Sequence, residues 1–340
     1  MRIEASAPGK LVLLGEYAVL EGAPALVLAV NRRAHVALSR ASADDWEIVS
    51  PTLGLEARLQ PRGDANVWLG PEPAELEWVA TLLGRFVRSH PLSPCRIELD
   101  SDAFYLDHAG SRVKLGLGSS AALTVALLGA LHACAKLPPP TLREGIHTHR
   151  AIQHGHGSGI DVAASLAGGL LRFQLHDADA RIAAVSLPGN LQWCCVYSGR
   201  PASTRAMLAT VAAWREREPV AFTRCMRELT TISSQGIDAA NASDAVGFLS
   251  ALRNYAHALA RFGEIAGADI LSREHRAIAA IAASCGCTYK SCGAGGGDTG
   301  ITFAVEDTRL REFSARSERA GFPVIELEAD PQGLEVVSNT

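Results

Sequence analysis

The chain has 340 residues, of which 48% are hydrophobic and 20% are charged, so it can bury a large core, and its length favours two domains. Acidic residues outnumber basic ones, 36 to 32, which gives a formal net charge of −4. This balance argues against a basic surface of the kind that binds nucleic acid or an anionic membrane. We therefore expect neither as a partner.

The sequence shows no pattern typical of export or of membrane insertion. No uninterrupted apolar run approaches the ~18 residues of a membrane span. Glu4 and Pro8 interrupt the N-terminal segment, where a signal peptide needs apolar residues. The eight cysteines include no CxxC pair, so reduced thiols are expected. We expect a cytoplasmic protein.

In chain order, the first half of the sequence mixes strand and helix patterns. Apolar runs and alternating patterns predict strands at 23–30, 35–40, 95–102, 170–173 and 192–198. A Pro/Gly-rich stretch predicts a loop over 61–73, followed by an amphipathic helix over 73–90. Residues 121–135 are apolar on nearly every side, which predicts a buried helix.

The second half begins with helices and ends with strands. Helical patterns run from 203 to about 285, with breaks near Pro219 and Gly267. A strand, a glycine loop and a strand are predicted over 289–305, and the last predicted elements are a helix at 308–320 and a strand at 323–329. The pattern predicts two α+β domains, residues 1–185 and 186–340.

Residues 114–123 read KLGLGSSAAL and place two glycines and two serines directly before the predicted buried helix. Glycines let the backbone approach a ligand closely, and a helix N-terminus presents free N–H groups to an anion. Lys114 adds a full positive charge, and Ser119 and Ser120 add hydroxyls. The stretch is thus typical of a phosphate site, but an ordinary capped helix start fits it equally well.

Two further stretches carry the same ambiguity. Lys10 follows Pro-Gly at the start of an apolar run. It is either a clamp for a phosphate or a surface lysine whose stem packs on apolar groups. Residues 291–303 hold five glycines between positions 293 and 300. This stretch is either a second anion-binding loop or an ordinary hairpin turn. Asp298 in that loop either caps the turn or orients it, and we favour the structural role.

Taken together, the three stretches resemble the motifs of the GHMP kinase superfamily. The matching segments are PGKLVLLGEYAVL (8–20), GLGSSAA (116–122) and GAGGGDTG (293–300), in the family's order. The resemblance implies an N-terminal domain like domain 2 of ribosomal protein S5 and a ferredoxin-like α+β C-terminal domain. It also implies that ATP binds in the cleft between them.

The resemblance also implies roles for individual residues. It assigns Lys10 and Asp161 to catalysis. It assigns the nucleotide to residues of the second and third motifs: Lys114, Gly116, Leu117, Gly118, Ser119, Ser120, Ala121, Gly295 and Gly296. It assigns the acceptor to Tyr17, Ser158, Gly159, Arg200, Ser203, Thr204, Gly293 and Ala294.

The expected cofactors are ATP and Mg²⁺. Some branches of the family carry a glutamate that binds Mg²⁺ eleven residues before the catalytic aspartate, but this chain has Arg150 there. Ser120 is therefore the expected protein ligand of the metal. Four histidines lie nearby, at 147, 149, 154 and 156, and we expect them at helix ends or facing phosphate rather than in a zinc site.

The segments GSGIDVAAS (157–165) and PAST (201–204) are most similar to the branch that phosphorylates (R)-5-phosphomevalonate to 5-diphosphomevalonate. A phosphate acceptor is mostly a dianion at neutral pH and needs cations rather than a base. The candidate cations are Lys10, Lys114, Arg150, Arg172, Arg200 and Arg205.

Other readings of the family resemblance stay open at this point. They are a kinase of mevalonate or another small molecule, a diphosphomevalonate decarboxylase, and a non-catalytic nucleotide sensor. The retained Lys10, Ser120 and Asp161 argue against the sensor. We expect a small phosphorylated hydroxy acid as the substrate, and a monomer or homodimer.

Overall fold

The computed structural model describes residues 2–62, 65–176 and 179–339. Its strands are β1 (Arg2–Leu14), β2 (Ala25–Arg40), β3 (Trp46–Ser50), β4 (Leu55–Arg62), β5 (Ala65–Trp68), β6 (Cys95–Asp100), β7 (Tyr105–His108), β8 (Ser111–Lys114), β9 (Leu170–His176), β10 (Asp179–Val185), β11 (Gln192–Tyr197), β12 (Thr288–Ser291), β13 (Thr299–Ala304), β14 (Val324–Ile325) and β15 (Glu335–Asn339). Its α-helices are α1 (Glu77–Ser89), α2 (Ser119–Cys134), α3 (Leu142–Ile152), α4 (Ile160–Ala167), α5 (Thr204–Arg217), α6 (Pro219–Asn241), α7 (Ala245–Ala266), α8 (Arg273–Ser284) and α9 (Asp307–Arg319). Short 3₁₀ turns lie at Ala18–Glu21, Pro51–Leu53, Ala74–Leu76 and Asp102–Phe104.

A large mixed sheet forms the first domain, in the order β10-β9-β2-β6-β3-β4-β5, with β1 paired to β2 and β15 paired to β1. The long strand β2 pairs with β1 along most of its length, with β9 through its first residues and with β6 through its last. Helices α2 and α4 pack against β1 and β2. The helix α2 is buried on nearly all sides, as its apolar sequence predicts.

The strand β1 changes character at Pro8 and Gly9. Before this point burial alternates along the strand, and from Ala7 onward every residue is buried, because helices cover the strand there. The register with β2 shifts between Pro8 and Gly9, where proline lacks a ladder donor. A Cβ on Gly9 would lie 2.8 Å from the Leu117 carbonyl oxygen, so only glycine lets the loop before α2 approach this strand.

An antiparallel sheet in the order β12-β13-β11-β14 forms the second domain, together with α5 to α9. The long helices α6 and α7 pack against each other, and α8 and α9 lie on the sheet. The predicted α+β class with two domains is confirmed. Within the described residues, none of the helices is long and apolar enough to cross a membrane.

The C-terminal boundary is a correction to the predicted division at 186–340. Strand β15 pairs antiparallel with β1, with Arg2 opposite Asn339 and Ser6 opposite Glu335. The Asp330 amide donates to the Ala29 carbonyl, and Arg33 pairs with the Asp330 carboxylate at 2.7 Å. The last segment therefore belongs to the first domain, because it adds a strand to the first sheet along the edge of β1.

Two smaller predictions also differ from the structure. The loop predicted over 61–73 contains the end of β4 and the strand β5, while residues 63 and 64 lie outside the described ranges. The strand predicted over 323–329 is limited to Val324–Ile325, with one further bridge between Val30 and Ala329. In both places, pairing with another segment decides the outcome rather than local composition.

Candidate active site

The loop before α2 is built to receive an anion. Gly118 adopts a left-handed conformation, φ 82°, which turns the chain into the helix. No side chain of the described residues caps this helix, so the amides of its first turn lack an acceptor. Ser119 is buried and Ser120 is exposed. The free amides and the partial positive charge of the helix end favour a phosphate here.

Lys10 lies directly beside this loop. Its amide donates to the Leu117 carbonyl at 2.8 Å, and its stem passes so close that a Cβ on Gly118 would lie 3.1 Å from Lys10 Cε. The residue is only 8% exposed, and its ammonium Nζ lies 3.5 Å from Asp161 Oδ1. The alternative of a surface lysine is therefore wrong. Lys10, the loop at 116–120 and Asp161 form one site.

Asp161 is held at the start of α4 by the turn that precedes it. Arg150 donates to the carbonyls of Gly157 and Ser158 at 3.0 and 3.3 Å, and Ser158 Oγ accepts from the Ile160 amide. At the far end of α4, the buried Ser165 hydroxyl donates to the Pro8 carbonyl at 2.9 Å, which ties the helix to β1. Arg150 thus positions the turn and is not free to hold an acceptor phosphate.

His149 is the member of the histidine cluster that faces the site. It lies on α3, is 5% exposed, and its Nε2 lies 3.4 Å from Ser120 Oγ. Burial lowers the pKa of His149, while the Asp161 carboxylate opposes that shift. His147, two residues earlier on the same helix, is exposed. Sequence reasoning missed this residue as a specific site member, although it had singled out the neighbouring position 150.

The third glycine loop, residues 293–297, has an open half and a packed half. A Cβ on Gly293 would meet nothing within 4 Å, and the Ala294 carbonyl accepts from the buried Tyr17 hydroxyl at 2.6 Å. Gly295 and Gly296 are buried, and the Gly296 amide donates to the Ile270 carbonyl at 2.8 Å. That amide is therefore committed inside the second domain, whereas the surroundings of Gly293 are open to a ligand.

Asp298 joins this loop to the rest of the site. Its Oδ1 accepts from the Ala202 amide at 3.0 Å, and its side chain packs so closely on Gly116 that a Cβ there would lie 2.4 Å from Oδ2. Burial raises the pKa of Asp298, and the Ala202 amide, Lys10 and Lys114 oppose the shift. The bond to the Ala202 amide and the packing on Gly116 agree with the structural role favoured for Asp298 from the sequence.

The segment 200–205 lies next to Asp298 and begins α5. Ser203 Oγ caps the helix by accepting from the Ala206 amide at 3.3 Å. Thr204 and Arg205 are exposed on its first turn. The Arg200 guanidinium lies 3.1 Å from Asp269 and 3.8 Å from Glu274, so its charge is already shared. Arg172 lies on β9, where it is exposed and donates to Gln174.

A buried ion pair connects the two domains behind the site. Lys290, at the end of β12, donates to the Glu16 carboxylate and, at 2.8 Å, to the Ser291 carbonyl. The Tyr255 hydroxyl donates to the Glu16 carbonyl at 2.9 Å. Burial raises the pKa of Glu16, and Lys290 opposes that shift most strongly. Lys290 therefore neutralises Glu16 and is not a phosphate ligand, although it too stands beside a glycine-rich stretch.

Comparison with known proteins decides the family. The model of the GHMP kinases N terminal domain matches residues 78–169. A mevalonate kinase of Methanothermobacter thermautotrophicus is 32% identical over 239 residues, which cover 69% of each chain. The chain belongs to the GHMP kinase family. A phosphomevalonate kinase of Streptomyces sp. strain CL190 is 28% identical over 96% of this chain and 97% of its own length.

Solved structures of GHMP kinases show the same fold. The Streptococcus pneumoniae phosphomevalonate kinase, solved with phosphomevalonate and AMPPNP, superposes with a TM-score of 0.79 at 19% identity. The match covers 96% of this chain and 99% of that one. The predictions of the family, of the two-domain fold and of a phosphotransferase are confirmed.

The side-chain oxygens of Ser120 and Asp161 suit a metal ion that binds together with a nucleotide. Across 2–62, 65–176 and 179–339, no group of three His, Cys, Asp or Glu side chains is placed to hold a metal by itself. The Ser120 hydroxyl is exposed and lies 3.4 Å from His149 Nε2, and the Asp161 side chain is 34% exposed. Mg²⁺ typically takes one or two protein oxygens and completes its shell with phosphates and water, so these residues fit it.

A buried histidine supports the packed half of the third loop. His275 Nε2 donates to the Gly297 carbonyl at 2.8 Å, so Nδ1 accepts from the Tyr289 hydroxyl at 2.6 Å. Burial lowers the pKa of His275, which is fully buried in the described structure. A proton on Nδ1 would make the Tyr289 hydroxyl turn its own hydrogen away and would place a positive charge in a buried site.

Stability is therefore expected to fall as the pH is lowered. The folded protein holds His275 neutral, whereas the unfolded chain binds a proton below pH ~6.5. The stability gained by keeping His275 neutral is present above that pH and is lost below it. The free energy of unfolding falls by at most about 1.4 kcal/mol per pH unit from this residue. Urea unfolding of wild type and His275→Gln at pH 7.5, 6.5 and 5.5 measures this. The variant should lose less stability over this range, and an unchanged pH slope would contradict the assignment.

Proposed function

We propose that the chain transfers the γ-phosphoryl group of ATP to the phosphate of (R)-5-phosphomevalonate, giving 5-diphosphomevalonate and ADP in the mevalonate pathway. The observation that carries the proposal is the position of Lys10, beside the loop at 116–120 and 3.5 Å from Asp161. The full-length similarity to the Streptomyces phosphomevalonate kinase supports this acceptor.

The chemistry that the site supplies is positioning and charge neutralisation. The nucleotide phosphates would meet the free amides at the start of α2, with the exposed Lys114 at the entrance to the loop. Lys10 would bridge the transferred group and the acceptor phosphate. Mg²⁺, held through Ser120 and Asp161, supplies further charge neutralisation when it is bound with ATP. Asp161 then orients Lys10, because a dianionic acceptor needs no base.

The acceptor would lie between the open half of the third loop and the start of α5. Gly293 and the Ala294 backbone would line one side, and Ser203, Thr204 and Arg205 would line the other. Arg200 would contribute a charge that it already shares with Asp269 and Glu274. Tyr17 supports this wall through the Ala294 carbonyl rather than through a free hydroxyl.

A kinase of mevalonate itself is the second candidate. The archaeal mevalonate kinase is 32% identical over the matched 69% of this chain. The pairing of Asp161 with Lys10 also suits proton removal from an alcohol, whose high pKa requires a base. The two candidates differ in whether Asp161 must accept a proton.

A substrate panel distinguishes the candidates. ADP release is measured with MgATP and, separately, mevalonate, 5-phosphomevalonate and 5-diphosphomevalonate, with CO₂ measured in parallel. We expect ADP without CO₂ from 5-phosphomevalonate alone. ADP from mevalonate would favour the second candidate, CO₂ from the third compound would indicate a decarboxylase, and no product from any would indicate a sensor.

The Asp161→Asn substitution tests the base-free mechanism. A general base contributes typically about 10²–10⁴-fold to rate. If Asp161 only orients Lys10, kcat with 5-phosphomevalonate should fall by less than about 100-fold. The control is Asp102→Asn, which removes an exposed carboxylate paired with Arg112. Loss of all turnover in Asp161→Asn, with circular dichroism and Tm unchanged, would show that the base is required.

A further inference from the structure

His149 places a ring nitrogen beside Ser120, the residue expected to bind the metal. Its Nε2 faces Ser120 Oγ at 3.4 Å, and its ring is close enough to Asp161 for the carboxylate to act on its charge. The side chain is 5% exposed, so the ring is held in place by its surroundings. The imidazole nitrogen and the Ser120 hydroxyl therefore face each other, and the Asp161 carboxylate lies near enough to act on the charge of the ring.

The separation of these donors fits a shared ion. Adjacent ligands in an octahedral shell with bonds of 2.0–2.1 Å are about 3 Å apart. The 3.4 Å between His149 Nε2 and Ser120 Oγ is close to this value. Arg150, the next residue, does not bring its charge into this space, because its guanidinium is bound to the carbonyls of Gly157 and Ser158.

We propose that His149 donates its Nε2 to the divalent ion that accompanies the nucleotide. The inference rests on the proposed function only through the metal–nucleotide complex and is independent of the acceptor. A nitrogen donor favours ions later in the first transition row, whereas Mg²⁺ prefers oxygen. The site should therefore prefer Co²⁺ over Mg²⁺ more strongly than a site in which residue 149 offers oxygen.

Pulsed EPR of Mn²⁺ detects the bond directly. The protein is labelled with ¹⁵N-histidine and combined with Mn²⁺ and the β,γ-methylene analogue of ATP, which has no bridging nitrogen. We expect ¹⁵N hyperfine coupling in wild type and in the control His147→Gln, and none in His149→Gln. His147 is a suitable control because it lies on the same helix but is exposed.

Binding of the analogue gives an independent measurement. Its affinity is determined by calorimetry with Co²⁺ and with Mg²⁺ for wild type, His149→Glu and His147→Gln. The ratio of the Co²⁺ to the Mg²⁺ affinity should fall at least about tenfold in His149→Glu, as expected for loss of a tuning group at a metal site. It should stay at the wild-type value in His147→Gln.

The outcomes separate this proposal from the proposed function. Wild-type protein that binds Mn²⁺ and the analogue without ¹⁵N coupling overturns the role of His149, even if 5-phosphomevalonate is phosphorylated. Failure of Mn²⁺ to bind with the analogue also overturns it. Coupling in a protein that does not turn over 5-phosphomevalonate would support the metal ligand and refute the acceptor. If the His149 variants fail to fold, a wild-type spectrum without ¹⁵N coupling still overturns the proposal.

Discussion

Replacing Lys10 with methionine is expected to lower kcat/KM by at least about 10²–10³-fold while the protein still folds. Lys10 is the cation that the structure holds between the anion loop and Asp161. Methionine keeps most of the stem that packs beside Gly118 but removes the ammonium. The repulsion between the nucleotide and acceptor phosphates would then be uncompensated at the point of transfer.

The fold should tolerate this change because the remaining carboxylate can be hydrated. The Asp161 side chain is 34% exposed, so loss of its partner does not leave a charge sealed in the core. Steady-state kinetics with 5-phosphomevalonate, alongside Tm, measures both effects. The matched control is Lys136→Met, which changes an exposed lysine just past the end of α2. If the two variants have equal activity, the role given to Lys10 is wrong.

Replacing Lys290 with methionine should have the largest effect on stability. It leaves the Glu16 carboxylate buried without its cation, and breaking such a pair from one side typically costs about 3–5 kcal/mol. The double substitution Glu16→Gln/Lys290→Met removes both charges, so it should recover much of that loss. Urea unfolding followed by circular dichroism gives the free energy of unfolding for wild type, both single variants and the double variant.

The sign of the pH dependence provides a further check on Lys290→Met. Burial already raises the pKa of Glu16, and removing the ammonium that opposes this raises it further. The folded variant then holds a proton that the unfolded chain releases, so its stability falls as the pH rises. The deficit relative to wild type should be smaller at pH 6 than at pH 8. A deficit that is equal at both, or a double variant no more stable than Lys290→Met, would refute the account.

Local chemistry explains why the main parts of the site could be predicted. The glycines and serines at 116–120 create a turn and a helix start within a few residues, and their role does not depend on distant partners. The match of three ordered motifs then indicates that Lys10 and the loop belong together, although Lys10 and Gly116 are 106 positions apart in the sequence. The structure places them in contact.

The remaining features depend on partners that are distant in the sequence. In the sequence, Lys290 stands beside a glycine-rich loop, as Lys10 and Lys114 do. Its role as the partner of a buried carboxylate becomes visible only through Glu16, 274 positions away. His149 and Arg150 are adjacent on α3, yet helical geometry turns one toward Ser120 and the other toward the turn before α4. Strand β15 is recognisable only through β1. Such pairings have no local signal in a single sequence.

The pairing of β15 with β1 has a mechanical consequence. The chain leaves the first sheet after β10 and returns to it beside the strand that carries Lys10, so the second domain is an insert tethered at both ends. The two covalent crossings and the buried Lys290–Glu16 pair thus join the second domain to the first. A pull on residues 335–339 would be transmitted along the ladder to β1, and hence to Lys10, the residue proposed to bridge the two phosphates.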